Sequence, residues 1–277
     1  FYKMNKKILI IGLKGLIGNN LFNYFKIKKL NVYQLSFENF IKNKNIHVDK
    51  FDVIINCTSN QKFIKNQYQD INDNDLIIAK KILYSKTKLV MLSTRKVYKA
   101  KFNINELDKK EPNCNYSKNK VISEISVRKI LANRVLILRI SNIISYPNRN
   151  KRKLHKTFSD IFFEMAKKGF IYKNNKAYKD FISIKKFNQI VLELVKKNSF
   201  GLFNVSLGKK IYLNQLVTWL NFYNPTKIMI IRPKNSFNND SFTLNNKKLM
   251  HKIKIKNNAL ELQSECLKIS KSFFTKK

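Results

Sequence analysis

Near its start the chain runs from a short apolar stretch, Ile8 to Ile11, straight into Gly12-Leu-Lys-Gly15-Leu-Ile-Gly18 and then into an amphipathic segment. Few features restrict a fold more. An apolar run of strand length, a glycine-spaced turn and a helix are how a parallel sheet presents a phosphate cradle. The first glycine permits the tight turn, and the second lets backbone approach an anion. The third lets the helix pack on the sheet with its N-terminal N–H groups facing the ligand. The spacing is G-x-x-G-x-x-G instead of the G-x-G-x-x-G of the dinucleotide fingerprint. Three of the chain's six glycines are nevertheless spent here. The reading assigns a dinucleotide's pyrophosphate to Gly12, Gly15, Leu16, Ile17 and Gly18. A plain strand–turn–helix without ligand is the competing one.

The same alternation continues downstream. Strands are expected at Lys7–Ile11, Asn31–Leu35, Val53–Asn56, Lys88–Ser93 and Val135–Ile140, with helices at 16–28, 72–85 and 115–132. This is the pattern of an α/β protein with a doubly wound parallel sheet. Beyond Pro147 the order changes: helix 156–168, strand 178–183, helix 184–197, strand Leu202–Ser206, helix 213–222, strand Lys227–Ile231 and a helical C-terminus. The expected organisation is a dinucleotide-binding domain over 4–150, to which 180–206 return. A smaller, interleaved C-terminal substrate lobe is expected over 151–179 and 207–277.

Composition matters because the formal net charge is +39. Such a charge draws nucleic acid or an anionic membrane. Yet only seven of the 56 basic residues are arginine, and the lysines are spread along the whole length among abundant Asn and Ile. Nucleic acid and membrane are therefore not expected as partners, and the positive field suits an anionic small molecule. No apolar run reaches the roughly 18–20 residues that span a bilayer. Met4 reads as the natural start, without a signal peptide. Cys57, Cys114 and Cys266 have unrelated spacings, so neither a disulfide framework nor a metal site is expected. In its strand-like run, Cys57 reads as a small core residue. The cytoplasm is the expected compartment.

Candidate chemistry lies where ligands bind in such sheets, beyond the C-terminal ends of the strands. One strand ends in Ser93-Thr94. A later helix opens with Tyr116 and carries Lys120 one turn on, on the same face. An ammonium beside a phenol favours phenolate and makes Tyr a proton shuttle. In so lysine-rich a chain the Tyr-x-x-x-Lys spacing recurs at Tyr2, Tyr24, Tyr84, Tyr172 and Tyr223. Tyr116 differs from these in opening a helix between the Thr94 strand and the next one.

Taken in order, Gly12-x-x-Gly15-x-x-Gly18, Asp52-Val-Ile-Ile-Asn56, Leu92-Ser-Thr94-x-x-Val97-Tyr98, Tyr116-x-x-x-Lys120-x-x-x-Glu124 and Leu138-Arg139-x-Ser-Asn142 resemble a known set. Lys179-Asp180-Phe181-Ile-Ser183, Gly201-Leu-Phe-Asn204-Val and Arg232-Pro233 extend it, over roughly residues 5 to 250. The set is similar to the extended short-chain dehydrogenase/reductases of the NAD-dependent epimerase/dehydratase group, Rossmann-type enzymes acting on nucleotide sugars. The resemblance implies a catalytic Thr94, Tyr116 and Lys120. Tyr116 would be the acid/base, and Lys120 would lower its pKa and hold the nicotinamide ribose. Asn56, Cys57, Thr58 and Ser93 would join the glycine turn around the cofactor, while Thr94, Asn142 and Arg232 would face the substrate.

Arg95 and Lys96 stand where the family's dehydratases carry Asp-Glu, so a 4,6-dehydratase is not expected. A compact 35–52 region and a modest second lobe lean towards reductases of the dTDP-4-dehydrorhamnose type. Lys99 and Lys185-Lys186 stand where the family often has Gly and Asp. No acidic residue follows the second strand at Gln34-Leu35-Ser36, and Lys14 could meet a 2′-phosphate, so NADP is favoured over NAD. The implied function is a reductase or epimerase supplying polysaccharide precursors. A non-catalytic dinucleotide sensor of the same fold is the alternative. Dimers are common in the family, which makes a homodimer the assembly to test for.

Overall fold

The computed structural model describes residues 6–43, 45–147, 157–172, 177–226, 229–231, 240–255 and 258–275. The chain divides into two compact units, one formed by Phe1–Lys99, Glu106–Ile140 and Asn188–Phe203, the other by Ala100–Asn105, Ser141–Phe187 and Asn204–Lys277.

The first unit follows the expected alternation: β1 (Ile8–Ile11), α1 (Leu16–Ile27), β2 (Val32–Leu35), α2 (Phe37–Lys42), β3 (Val53–Asn56), α3 (Gln61–Lys65), α4 (Asn74–Lys81), β4 (Lys88–Thr94), α5 (Asn115–Leu131) and β5 (Val135–Ile140). Every residue of β1, β3 and β5 is buried. Continuous apolar runs are what strands covered on both faces require. The register is parallel from β2 through β1, β3 and β4 to β5. Leu9, Ile11, Ile54, Met91 and Ile137 form one core with Leu76, Ala79 and Ile82 of the α4 region and Val127 and Leu131 of α5.

Next come β6 (Asn142–Ile144), α6 (Phe158–Lys167), β7 (Phe170–Tyr172), β8 (Tyr178–Lys179), β9 (Phe181–Ser183), α7 (Ile184–Lys196), β10 (Gly201–Val205), β11 (Ile211–Tyr212), α8 (Leu213–Asn221), β12 (Met229–Ile231), α9 (Lys247–Ile253) and α10 (Ala259–Phe274). β10 completes a six-stranded sheet ordered β10-β5-β4-β3-β1-β2. In the second unit β6 pairs with β9, β7 with β12 and β8 with β11. Phe162 and Phe163 of α6, Leu216 and Leu220 of α8, and Leu262 and Cys266 of α10 form its core.

Several details differ from expectation. The first unit is left after Ile140 rather than at 150, and 188–203 return to it rather than 180–206. The reason is local: β6 and β9 pair with each other and draw both segments into the second unit. The single strand expected over 178–183 is two, β8 and β9, separated at Asp180. The carboxylate of Asp180 accepts from the backbone N–H of Gly208 and Leu244, so the strand changes partner there. The helix expected over 72–85 is the shorter α4: Asp73 caps its start by accepting from the N–H of Asp75 and Leu76, and Ile82 leaves helical geometry at its end, its N–H turned back to the Ile78 and Lys80 carbonyls. Short α2 and α3 carry too few residues for a helical period to show. Of Lys227–Ile231, residues 227 and 228 lie outside the described residues. None of the described helices is long and apolar enough to cross a membrane. The three cysteines are free.

Candidate functional site

The glycine turn shows why two of its glycines are obligatory. Gly12 leaves β1 at a φ of +131°, where an L side chain is strained, and a Cβ there would press on Cys57 and Thr58 at 3.2 and 3.3 Å. A Cβ on Gly18 would sit 2.2 Å from the Gly12 carbonyl oxygen, so α1 could not lie against the turn. Gly15 is different: a Cβ would meet only the Cys57 carbonyl oxygen, at an ordinary 3.7 Å. Gly15 is also the N-cap of α1, with no side chain to accept from the first-turn N–H groups of Leu16, Ile17 and Gly18. No acidic residue occupies that turn, and Lys14 beside it is exposed.

Asn56 ends β3 and is buried. Its Oδ1 accepts from the N–H and the hydroxyl of Thr58, at 3.0 and 2.7 Å. Its Nδ2 donates to Asp75 Oδ1 at 2.7 Å. Asn74 donates to the Thr58 hydroxyl at 2.8 Å. Burial pushes the Cys57 thiol up, and Asp75 adds to the rise, so it is held as a neutral thiol. At the end of β2, Gln34 Nε2 donates to the Gly12 carbonyl at 3.0 Å and Ser36 caps α2.

Thr94 ends β4, and its hydroxyl accepts from the Lys96 N–H at 3.2 Å, capping a single 3₁₀ turn over Arg95–Val97. Ser93 points elsewhere: its hydroxyl donates to Glu124 Oε1 at 2.6 Å. Glu124 also binds Arg139, at 2.6 Å and 3.0 Å, and Arg139 in turn donates to the Tyr98 hydroxyl.

α5 is an unusual helix because its inward face is largely polar: Ser117, Asn119, Lys120, Ser123 and Glu124 are all buried. It packs on α3, α4, β4 and the Arg95–Val97 turn. Cys114 caps it, bonded to Ser117. Burial would push this thiol up, but the Ser117 hydrogen bonds and Lys96 bring it below its ordinary value. Tyr116 stands in the first turn, partly buried. That burial raises its phenol above the ordinary value. Lys120 acts the other way, while Asp75 and Cys114 add to the rise. Lys120 thus pulls Tyr116 downward, as the resemblance implies, while burial sets the net direction upward. Burial would also lower Lys120 itself, but Asp75, Tyr116 and Asp73 more than offset it and hold the ammonium charged. Its Nζ is 2.7 Å from Asp75 Oδ2.

The structure therefore gathers Asn56, Thr58, Thr94, Tyr116 and Lys120 in one unit with the glycine turn. Asn142 belongs to the other unit, where its Nδ2 donates to the Asp180 carbonyl at 3.3 Å. Arg232 lies outside the described residues. Sequence reasoning missed Asp75. Its sequence signal was faint, because Asp75 follows Asn72-Asp73-Asn74 in the first turn of α4, where an acidic residue is ordinary at a helix start. Among the described residues no group of three or more His, Cys, Asp or Glu could hold a metal ion.

Solved structures share this fold. The chain is similar to UDP-N-acetylglucosamine 4-epimerase from Methanobrevibacter ruminantium M1 in complex with UDP-N-acetylmuramic acid, with a TM-score of 0.79 and 17% identity over 98% of this chain and 99% of that one. It is also similar to dTDP-4-dehydrorhamnose reductase from Yersinia enterocolitica, at TM-score 0.73 and 18% identity over 97% and 99%. A third is dTDP-glucose 4,6-dehydratase from Bacillus anthracis str. Ames in complex with NAD, at 0.73 and 16% over 97% and 96%. The class is thus a Rossmann-type α/β protein. Within it, the chain belongs to the family of the RmlD substrate binding domain, whose pattern it matches over residues 6–167. No curated protein sequence matches the chain.

Proposed function

We propose that the protein is an NAD(P)-dependent oxidoreductase acting on a nucleotide sugar, as a keto-sugar-nucleotide reductase or epimerase. The observation that carries this reading is the placement of Tyr116 and Lys120 one turn apart on the polar face of α5, which packs on the strand that ends at Thr94.

The glycine turn fits a dinucleotide. A Cβ at residue 15 would be tolerated by its described neighbours, and a glycine there keeps the backbone open to an approaching anion. Unpaired N–H groups at the start of a helix are suited to a pyrophosphate. Gly12, Gly15, Leu16, Ile17 and Gly18 would hold it, with Asn56, Cys57, Thr58 and Ser93 along the neighbouring strand ends. Lys14 supports NADP over NAD, since Gln34 and Ser36 are already engaged within the protein. When bound, the nicotinamide supplies or accepts a hydride.

The chain's own residues do the rest. Thr94 would hold the reacting sugar oxygen, and Tyr116 Oη would give that oxygen a proton or take one from it. Lys120, with three N–H donors, has one on Asp75 and others for ribose hydroxyls. Asn142 and Arg232 are the candidates for the nucleotide sugar. The second reading is a dinucleotide sensor that binds but does not turn over; the retained Thr94, Tyr116 and Lys120 weigh against it, since a sensor has no need of a proton shuttle.

A panel of keto-sugar nucleotides with NADPH and NADH decides among these. A reductase consumes reduced cofactor, whereas an epimerase recycles it. Tyr116→Phe is expected to lower turnover by roughly 10²–10⁴-fold while cofactor affinity is retained. Unchanged turnover in that variant overturns the mechanism, and cofactor binding without turnover in the parent protein selects the sensor.

A further inference from the structure

The Lys120–Asp75 pair is more than a local contact. Both side chains are only 3% exposed. The second oxygen of Asp75 is taken by Asn56 of β3. From α3, the Phe63 ring lies 5.3 Å from the ammonium. Lys120 is thus held from α4 and α3, with β3 fixing the carboxylate, and that carboxylate does not belong to its own helix.

Facing Tyr116 are Lys120 of α5, Asp75 of α4 and the Cys114 cap, and Lys96 faces Cys114. Asp73 and Asp75 both face Lys120, and Cys57 beyond β3 faces Asp75. An ammonium alone would pull the phenol towards phenolate; a carboxylate on that ammonium cancels much of the pull.

We propose that Asp75 is a positioning residue for the Tyr116–Lys120 pair, holding the ammonium at a fixed point and offsetting its charge so that Tyr116 rests as a phenol ready to give a proton. This rests on reading Tyr116 and Lys120 as a proton-handling pair, and it narrows that reading towards carbonyl reduction. There the substrate's carbonyl carbon gains a hydride from reduced nicotinamide, and its oxygen gains the Tyr116 proton. The ketone becomes an alcohol, the nicotinamide is oxidised, and solvent returns the proton to Tyr116. The raised phenol, to which Asp75 contributes, agrees with that resting state.

The test follows Tyr116 ionisation by phenolate absorbance, each variant being compared with the same variant carrying Tyr116→Phe. Asp75→Asn is expected to move the titration down by about one pH unit or more, Lys120→Met to move it up, and the double variant to return it close to the parent. Asp75→Glu should restore most of the parent titration. An unmoved titration in Asp75→Asn overturns the proposal, because a merely structural role would cost stability without moving the phenol. Should Asp75→Asn fail to fold, Lys120→Met and the double variant decide, and coincident titrations in those two overturn it. No turnover is needed, so an inactive parent protein would sink the proposed function while leaving this result readable.

Discussion

Two buried carboxylates, one in each unit, are handled in opposite ways. In the first unit Glu124 meets Arg139 in a two-point ion pair, the side chains 2% and 1% exposed. In the second unit Asp180, fully buried, has no cationic partner among the described residues. It is held by backbone N–H groups, those of Gly208 at 3.1 and 3.2 Å and of Leu244 at 2.9 Å, with help from Ser206 and Leu207. Burial pushes Asp180 up to about 7, the hydrogen bonds only partly restraining it. Peptide dipoles offset less of the desolvation of a charge than a full opposite charge does. Paired charges fix the helix that carries Tyr116, whereas a carboxylate held by peptide N–H groups makes the β8–β9 junction sensitive to pH.

The largest expected effect breaks the paired case. Glu124→Gln leaves the Arg139 charge buried without compensation and should cost roughly 3–5 kcal/mol in urea unfolding. A loss below about 1 kcal/mol would mean that Tyr98 and the Glu106 carbonyl carry Arg139 unaided.

The unpaired case predicts a pH signature. Asp180 takes up its proton near pH 7 when folded and near 3.8 when unfolded. Between those values the folded state binds the extra proton. The stabilisation from this group is therefore complete below about 3.8 and is lost as pH rises through about 7. Relative to Asp180→Asn, the parent protein should lose stability across that window by at most about 1.4 kcal/mol per pH unit, then level off. Parallel stability curves for the two proteins would refute it.

The smallest effect sharpens the contrast. Gly208 donates to Asp180 with a φ of +73°, and a Cβ there would meet the Asn246 side chain at 2.8 Å. Gly208→Ala should cost on the order of 1–2 kcal/mol. By weakening a donor, it should also move the Asp180 transition to higher pH in the same unfolding series.

Much of this was legible in the residues themselves. Ile8–Ile11, Val53–Asn56 and Val135–Ile140 announce strands because buried parallel strands are continuously apolar. The departures sit where local pattern competes with long-range pairing. Asp180 breaks an apparently single strand because its partners, Gly208 and Leu244, lie far along the chain. Ser93 reads as a hydroxyl at a strand end, and only the packed helix shows Glu124 receiving it.

By itself the sequence determined the alternation of strands and helices, the glycine-spaced turn, and the one-turn separation of Tyr116 from Lys120. These are written in short continuous apolar runs and in local spacings of 3 and 3.6 residues. Tertiary structure alone decided that Asp75, 45 residues before Lys120, would meet its ammonium. It also decided that Gly18 must lie against the Gly12 carbonyl while Gly15 has room for a Cβ. Those outcomes depend on how α4 and α1 pack on their neighbours, a distance in space that no local spacing encodes.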